Sequence, residues 1–298
     1  MKLGLLTTSF PRSESDIAGN FVLGFARQLS AQGHAVEVLA PEPREPGAQR
    51  QLAPHGNPTA RAQAVTLAER SSIQVRHVPY LRPRWLQRTF YGAGVPDNLA
   101  RDPLAWLGLA PVCTSLYLHA RQLAPRWDAL ESHWAVPCAL AASAVRSSRQ
   151  RHIAVLHSAD IHALSRLPFG ARLAQRVVRG ASALWFVSED QRQRFCALLP
   201  RGERLPTSVV CPMGVELPAP GAADAEARER FRREHGLRGY CVLLLGRLVH
   251  IKGVDVALEA AAHGGMTLLI AGDGPLQGLE RASVGVRAGR SASGRDRP

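Results

Sequence analysis

Residues 240–275 read YCVLLLGRLVHIKGVDVALEAAAHGGMTLLIAGDGP, and their order decides the fold. Residues 240–246 form an unbroken apolar run closed by glycine, the pattern of a fully buried strand. Residues 254–263 suit a helix. Residues 267–271 (TLLIA) are a second apolar strand, closed by Gly272-Asp273-Gly274-Pro275. Strand, helix and strand in that order predict a parallel βαβ unit, in which ligands bind where strands pass into helices.

The loop between the first strand and the helix carries the chemistry. Gly246 is followed by Arg247, and Lys252 precedes Gly253. Two cations at a helix N-terminus oppose the helix dipole, so they serve structure poorly. They make sense if a diphosphate lies between them, held also by backbone N–H groups. Gly272 and Gly274 permit a tight turn with close backbone approach, and Pro275 can open a helix. Alone, GDGP is only a turn signal; its weight comes from following the Arg/Lys loop by one βαβ unit.

Working outward, residues 217–223 (LPAPGAA) form a linker and the candidate domain boundary, followed by a charged helix over 225–235. Toward the N-terminus, residues 2–7 (KLGLLT) predict a strand. Residues 20–32 predict a helix with Phe21, Phe25 and Leu29 on one face, and 35–40 (AVEVLA) a second strand. Residues 41–72 read as a long, partly flexible insertion, and 73–79 as a short strand. Residues 81–103, with Trp85, Phe90 and Tyr91, suit an exposed loop or an acceptor-side lid. Further strands are expected at 127–133, 152–157, 183–187 and 208–211, and helices at 104–124, 137–147 and 171–179. Ser188 is placed to cap a helix starting near Glu189.

Two more strand ends carry unusual residues. HIAVLH runs into His157-Ser158-Ala159-Asp160, where an imidazole and a carboxylate are suited to bonding sugar hydroxyls. The loop from Ser9 to Asn20 includes Gly19 at a helix entry, where a ligand could approach the backbone.

Together, GRLVHIKGVDVALEA and LLIAGDGP closely resemble the C-terminal signature of glycosyltransferase family 4, a retaining GT-B family. TTSFPRSESDIAGNFV is similar to that family's first strand and glycine loop, HSADIHAL to its HGSD segment, and VCPMGVE to its interdomain IPNGVD segment. Ser158, Met213 and Glu216 depart from the usual residues. The resemblance covers residues 1 to about 280. It implies an α/β, GT-B type fold, with an N-terminal domain over 1–216, a linker over 217–224 and a partial donor-binding domain over 225–280. By position, Arg247 and Lys252 would hold the donor diphosphate in place of a metal, with Gly246, Gly272, Gly274 and Gly19 allowing close approach. His157 would contact the donor sugar near the reacting centre, and Asp160 would bind substrate. His133 and Trp134 would face the acceptor, a glycan or lipid-linked sugar. No metal or cofactor is implied; the nucleotide sugar is a substrate.

Composition bounds the rest. The chain has 298 residues, 46% hydrophobic and 20% charged, enough for a large core. Its net charge of +13 is nearly all arginine, since Lys2 and Lys252 are the only lysines. The arginines are scattered, and no zinc-finger, RRM or basic-run pattern supports nucleic-acid binding. An anionic membrane face is one use for Arg172, Arg176 and Arg179; a solvated helix face is the other. Five cysteines without CxxC spacing argue against a disulfide framework or zinc site, and for a cytoplasmic, reducing setting. The run Leu3–Leu6 is too short for a signal peptide. Residues 281–298 carry five Arg and little apolar surface, predicting a disordered tail. The family's Glu-x7-Glu segment has no counterpart after Glu280. The expectation is therefore a C-terminally truncated enzyme, crippled by it, or else a non-catalytic remnant. A GT-B epimerase would need carboxylates set for proton chemistry, and the sequence offers none.

Overall fold

The computed structural model describes residues 1–12, 16, 18–44, 73–92, 94–215, 225–272 and 274–276. The chain falls into two compact units, 1–216 and 217–298. The expected linker, most of the 41–72 insertion, Asp273 and the expected disordered tail lie outside the described residues.

The first unit holds β1 (Lys2–Leu6), α1 (Asn20–Ala31), β2 (Ala35–Pro41), β3 (Ile73–Val78), α2 (Val95–Arg101), α3 (Leu109–Leu123), β4 (Ala129–His133), α4 (Leu140–Val145), β5 (Arg151–Leu156), α5 (Ser158–Arg166), α6 (Gly170–Gly180), β6 (Ala183–Phe186), α7 (Glu189–Leu198) and β7 (Thr207–Val210). The strands form one parallel sheet in the order β3-β2-β1-β4-β5-β6-β7. The order reverses at β1, which lies between β2 and β4, so a crevice opens at their carboxyl ends.

Alternation along the strands splits the core into layers. Leu5, Val36 and Val38 pack under Val22, Leu23 and Ala26 of α1. Leu6, Leu39 and Leu130 pack with Val112, Leu116 and Ala120 of α3. Farther along the sheet, Ala154, Leu156, Leu184 and Phe186 meet Ile161, Leu164, Val177 and Phe195. Each large side chain so buried contributes roughly 1.5–3 kcal/mol. On α1 the fully buried face is Val22, Leu23, Ala26 and Ser30, whereas Phe21, Phe25 and Leu29 flank it. That offset turns the two phenylalanines toward β4 and β6. Ser188 caps α7 as its position implied, its Oγ accepting from Gln191 N–H at 3.3 Å.

One expectation is corrected by the packing of 81–103. This stretch is not an exposed loop: Gln87, Thr89, Phe90 and Tyr91 are buried, and the Tyr91 hydroxyl donates to the Pro41 carbonyl at 2.9 Å. Two aromatic rings bury more apolar surface in the α3 layer than a solvated loop allows. Of the three aromatics, Trp85 alone stays exposed.

The second unit contains α8 (Ala225–Glu234), β8 (Cys241–Leu245), α9 (Val254–Gly264) and β9 (Thr267–Ala271). β8 and β9 pair in parallel. Leu248, Val254, Leu258, Ala261, Leu268, Ile270 and Leu276 form its core. The expected full burial of β8 is not found: Leu243 is 59% and Leu245 76% exposed. Among the described residues β8 has a single strand neighbour, and a helix covers only one face of the pair.

Candidate functional site

The first strand-end site lies at the carboxyl ends of β1, β4 and β5. His133 is the last residue of β4 and is fully buried. Its Nδ1 lies 3.1 Å from His157 Nε2, and the two rings stack with centroids 5.4 Å apart. His157 stands immediately before α5 and is 8% exposed. Around it are Trp134 at 4.9 Å and Phe21 at 5.2 Å between centroids. Burial pushes both histidines down to about 3, His133 adding to the effect on His157, so both rings are neutral near pH 7.

Trp134 has φ +71, a conformation that costs a non-glycine residue about 1–3 kcal/mol. The strain is held on both sides. Trp134 N–H donates to Val155 O at 3.0 Å, and Ala135 N–H donates to Asp160 Oδ2 at 2.7 Å. Asp160 thus ties the exit of β4 to the start of α5 with one oxygen. Its Oδ1 is buried without a partner, and burial pushes the carboxyl up to about 7 against the pull of four backbone N–H groups.

The structure redistributes the expected roles here. His133 offers no surface to an acceptor: it is fully enclosed beneath Phe21 and Phe25 and touches His157 instead. Trp134 is partly exposed. Gly19 has φ +71, and a Cβ there would lie 2.3 Å from Ser9 O. The space it leaves is filled by its own loop, so the chain itself requires this glycine. Phe21, read from the sequence as one of three residues on a single helix face, is a wall of the site. Glu131 escaped the sequence reading altogether. It alternates with His133 along β4, and that spacing was the available signal. Its Oε1 is 3.4 Å from His133 Nε2, an ion-pair distance. Burial nevertheless pushes this carboxyl up to about 8 and His133 down, so the two are a neutral pair at pH 7.

His152, one strand over, is structural. Its Nε2 meets Ser132 Oγ at 2.8 Å and its Nδ1 meets Gly180 O at 3.2 Å, which satisfies both ring nitrogens.

The second site is built from backbone. Gly246 N–H donates to Ala271 O at 3.0 Å, and Leu276 N–H to Leu248 O at 3.1 Å. Between these bonds a Cβ on Gly272 would lie 1.8 Å from Gly246 O, and one on Gly274 would lie 2.4 Å from Leu248 O. The loop after β8 and the turn after β9 are therefore in backbone contact, which only glycine permits. Leu248 and Val249 sink into the core as anchors, while Arg247 and Lys252 on either side stay exposed. Gly253, with φ +63, opens α9 directly after Lys252.

On α6, Arg172 and Arg176 are exposed, but Arg179 is 3.2 Å from Glu203, so one member of that stripe is neutralised. No group of three or more metal-binding side chains and no helix able to cross a membrane occurs among the described residues.

No family model and no curated protein matches the sequence. Solved structures do match. Anabaena Alr3699/HepE in complex with UDP-glucose is 18% identical over 95% of this chain and 63% of its own, with TM-score 0.53. Sucrose-phosphate synthase from Thermosynechococcus elongatus is 13% identical over 97% of this chain and 70% of its own, with TM-score 0.61. The apo structure of OtsA is 17% identical over 91% and 65%, with TM-score 0.56.

These likenesses establish the fold. The chain has an α/β fold of the GT-B type. It spans 63% of the length of HepE.

Proposed function

We propose that this protein is a nucleotide-sugar-dependent glycosyltransferase that moves a sugar from a nucleoside diphosphate to a glycan or lipid-linked acceptor with retention. The observation that carries the reading is the exposed pair Arg247 and Lys252, held on either side of the buried Leu248-Val249 anchor by the glycine contacts at 272 and 274. A guanidinium and an ammonium on a loop that enters a helix can neutralise a diphosphate and stabilise it as a leaving group, without a metal or cofactor. His157 would meet sugar hydroxyls and Trp134 the acceptor, while Asp160, enclosed with one oxygen on Ala135 N–H, would hold the loop that carries them. UDP-glucose, held by the HepE structure, is the natural first probe.

The test is calorimetric titration of the 298-residue chain with UDP and UDP-glucose, beside a product assay with glycan and lipid-linked acceptors. Binding lost in the double variant R247A/K252A, with the fold intact, supports the proposal. No heat with any nucleotide sugar would sink it. A second reading, a non-catalytic protein of the same fold, draws on the exposure of Leu243 and Leu245 in β8; binding without turnover is its signature. A peripheral contact with an anionic membrane, through Arg172 and Arg176, belongs to the same proposal, and salt-insensitive exclusion from anionic vesicles would remove it.

A further inference from the structure

Three side chains, Glu131, His133 and His157, form a line at the first site, with His133 between the other two. Glu131 and His133 alternate along β4 and share the face that Phe21 and Phe25 of α1 cover. Glu131 Oε1 and His133 Nε2 are both buried, lack any hydrogen-bond partner, and lie 3.4 Å from one another. The opposite nitrogen of His133 is 3.1 Å from His157 Nε2. His133, in the middle of the line, is fully enclosed, while Glu131 and His157 at its two ends are each 8% exposed.

A neutral imidazole has one N–H and one bare nitrogen, so its two bonds are of opposite sense. In a line of two such rings, the sense at one end dictates the sense at the other. A protonated Glu131, brought a few tenths of an ångström closer than its 3.4 Å, would donate to His133 Nε2. The ring proton of His133 then resides on Nδ1 and is donated to His157 Nε2, which leaves the His157 proton on Nδ1. An ionised Glu131 accepts from His133 Nε2–H, and every bond reverses.

We propose that Glu131 is a positioning residue that sets the tautomer of His157. With the carboxyl protonated, His157 presents an N–H donor at Nδ1; with it ionised, His157 presents a bare Nδ1 that accepts. The exchange balances. One proton leaves His157 Nδ1 for water, the His133 Nδ1 proton passes to His157 Nε2, and the Glu131 proton passes to His133 Nε2. The charge ends on the buried carboxylate. In one state the site recognises the lone pair of a sugar oxygen, and in the other it takes the proton of a hydroxyl. That use rests on the proposed glycosyl transfer; the tautomer coupling does not.

Burial holds the Glu131 carboxyl up at about 8, which sets the change at mildly alkaline pH. The titratable and charged groups on the surrounding elements are Lys2 on β1, Arg27 on α1, Arg151 and His152 on β5, and Asp160, His162 and Arg166 on α5; β6 contributes none. Asp160, pushed up to about 7, is the second group that titrates nearby.

The experiment is nuclear magnetic resonance of the full chain with isotope-labelled histidine, from about pH 6 to about pH 10. The ring nitrogen and Cδ2 shifts of His157 distinguish the two tautomers, and a His157→Gln variant assigns its signals. The wild type should pass from Nδ1–H to Nε2–H as pH rises. Glu131→Gln, which cannot ionise, should hold one tautomer throughout, and Asp160→Asn should keep the change. One tautomer across the range in the wild type overturns the proposal without recourse to any variant, and so does an unchanged transition in Glu131→Gln. The shifts are read without ligand. A protein that switches tautomer yet neither binds UDP-glucose nor transfers sugar therefore counts against the function alone.

Discussion

The two strand-end sites of this protein solve the same topological problem with opposite materials. At the carboxyl ends of β4 and β5, recognition is entrusted to side chains. Rings and carboxyls are buried together: His133 meets His157, Asp160 accepts from Ala135 N–H, and Glu131 Oε1 is left without a hydrogen bond. At the ends of β8 and β9, the backbone makes the frame, and charged side chains stay in water on either side of a buried anchor. The difference teaches what burial does to an ionisable group. It neutralises the histidines and Glu131 of the first site, whereas Arg247 and Lys252 stand on an exposed loop.

The comparison breaks most sharply at the glycines. Replacing Gly272 by Ala puts a Cβ 1.8 Å from a carbonyl oxygen that belongs to backbone and cannot rotate aside. We expect a loss of about 3 kcal/mol in the second unit, with the first unit unaffected. Hydrogen exchange resolved by segment reads both. Equal protection of 241–271 in wild type and variant would show that the two loops are not in contact.

A smaller effect is expected from the cations. Each charge-assisted contact is worth about 1.5–3 kcal/mol, so Arg247→Ala or Lys252→Ala should each weaken UDP binding roughly tenfold to a hundredfold. Thermal stability should be almost unchanged, because both side chains are exposed. Calorimetry and a melting curve on the same samples separate the two.

The first site should instead reveal itself through pH. The folded values of His133 and His157, about 3, lie below the ordinary 6.5. Their contribution to stability is present above pH 6.5 and is lost as pH falls toward 3. Glu131 has the opposite sign, with a folded value of about 8 above the ordinary 4.5. Its contribution is present below pH 4.5 and is lost as pH rises through 8. Glu131→Gln should therefore raise the melting temperature by several degrees at alkaline pH and have its smallest effect in acid. A gain that is equal at both ends would refute the buried, neutral carboxyl. Smallest of all, reversing Arg172 and Arg176 to Glu should shift stability by less than about 0.5 kcal/mol, as solvated charges do. Vesicle flotation of the same variant tests the membrane contact.

How far these features are legible depends on the distance over which each signal acts. The βαβ order, the Arg/Lys loop and the glycine turn are local patterns, and they lie in the structure where the residues put them. The burial of Phe90 and Tyr91 escapes a local reading because a stretch rich in Pro and Arg reads as loop, while the α3 layer that receives its rings lies elsewhere in the chain. β8 errs the other way. Its apolar run implies burial, but burial needs a neighbour on each face, which a strand's own composition does not supply. Gly19 reads as making room for a ligand, and the room is taken by Ser9.

By itself the sequence determined the alternation of strands and helices, the parallel sheet, and the placement of two cations and two glycines around a strand end. Periodicity and turn chemistry act within a few residues, so they survive reading one position at a time. Only the tertiary structure decided that β4 and β5 bring His133 against His157, that Glu131 stands behind them, and that these groups are neutral. Pairing across strands and exclusion of water are properties of the folded chain, and the charge of a buried group follows from them.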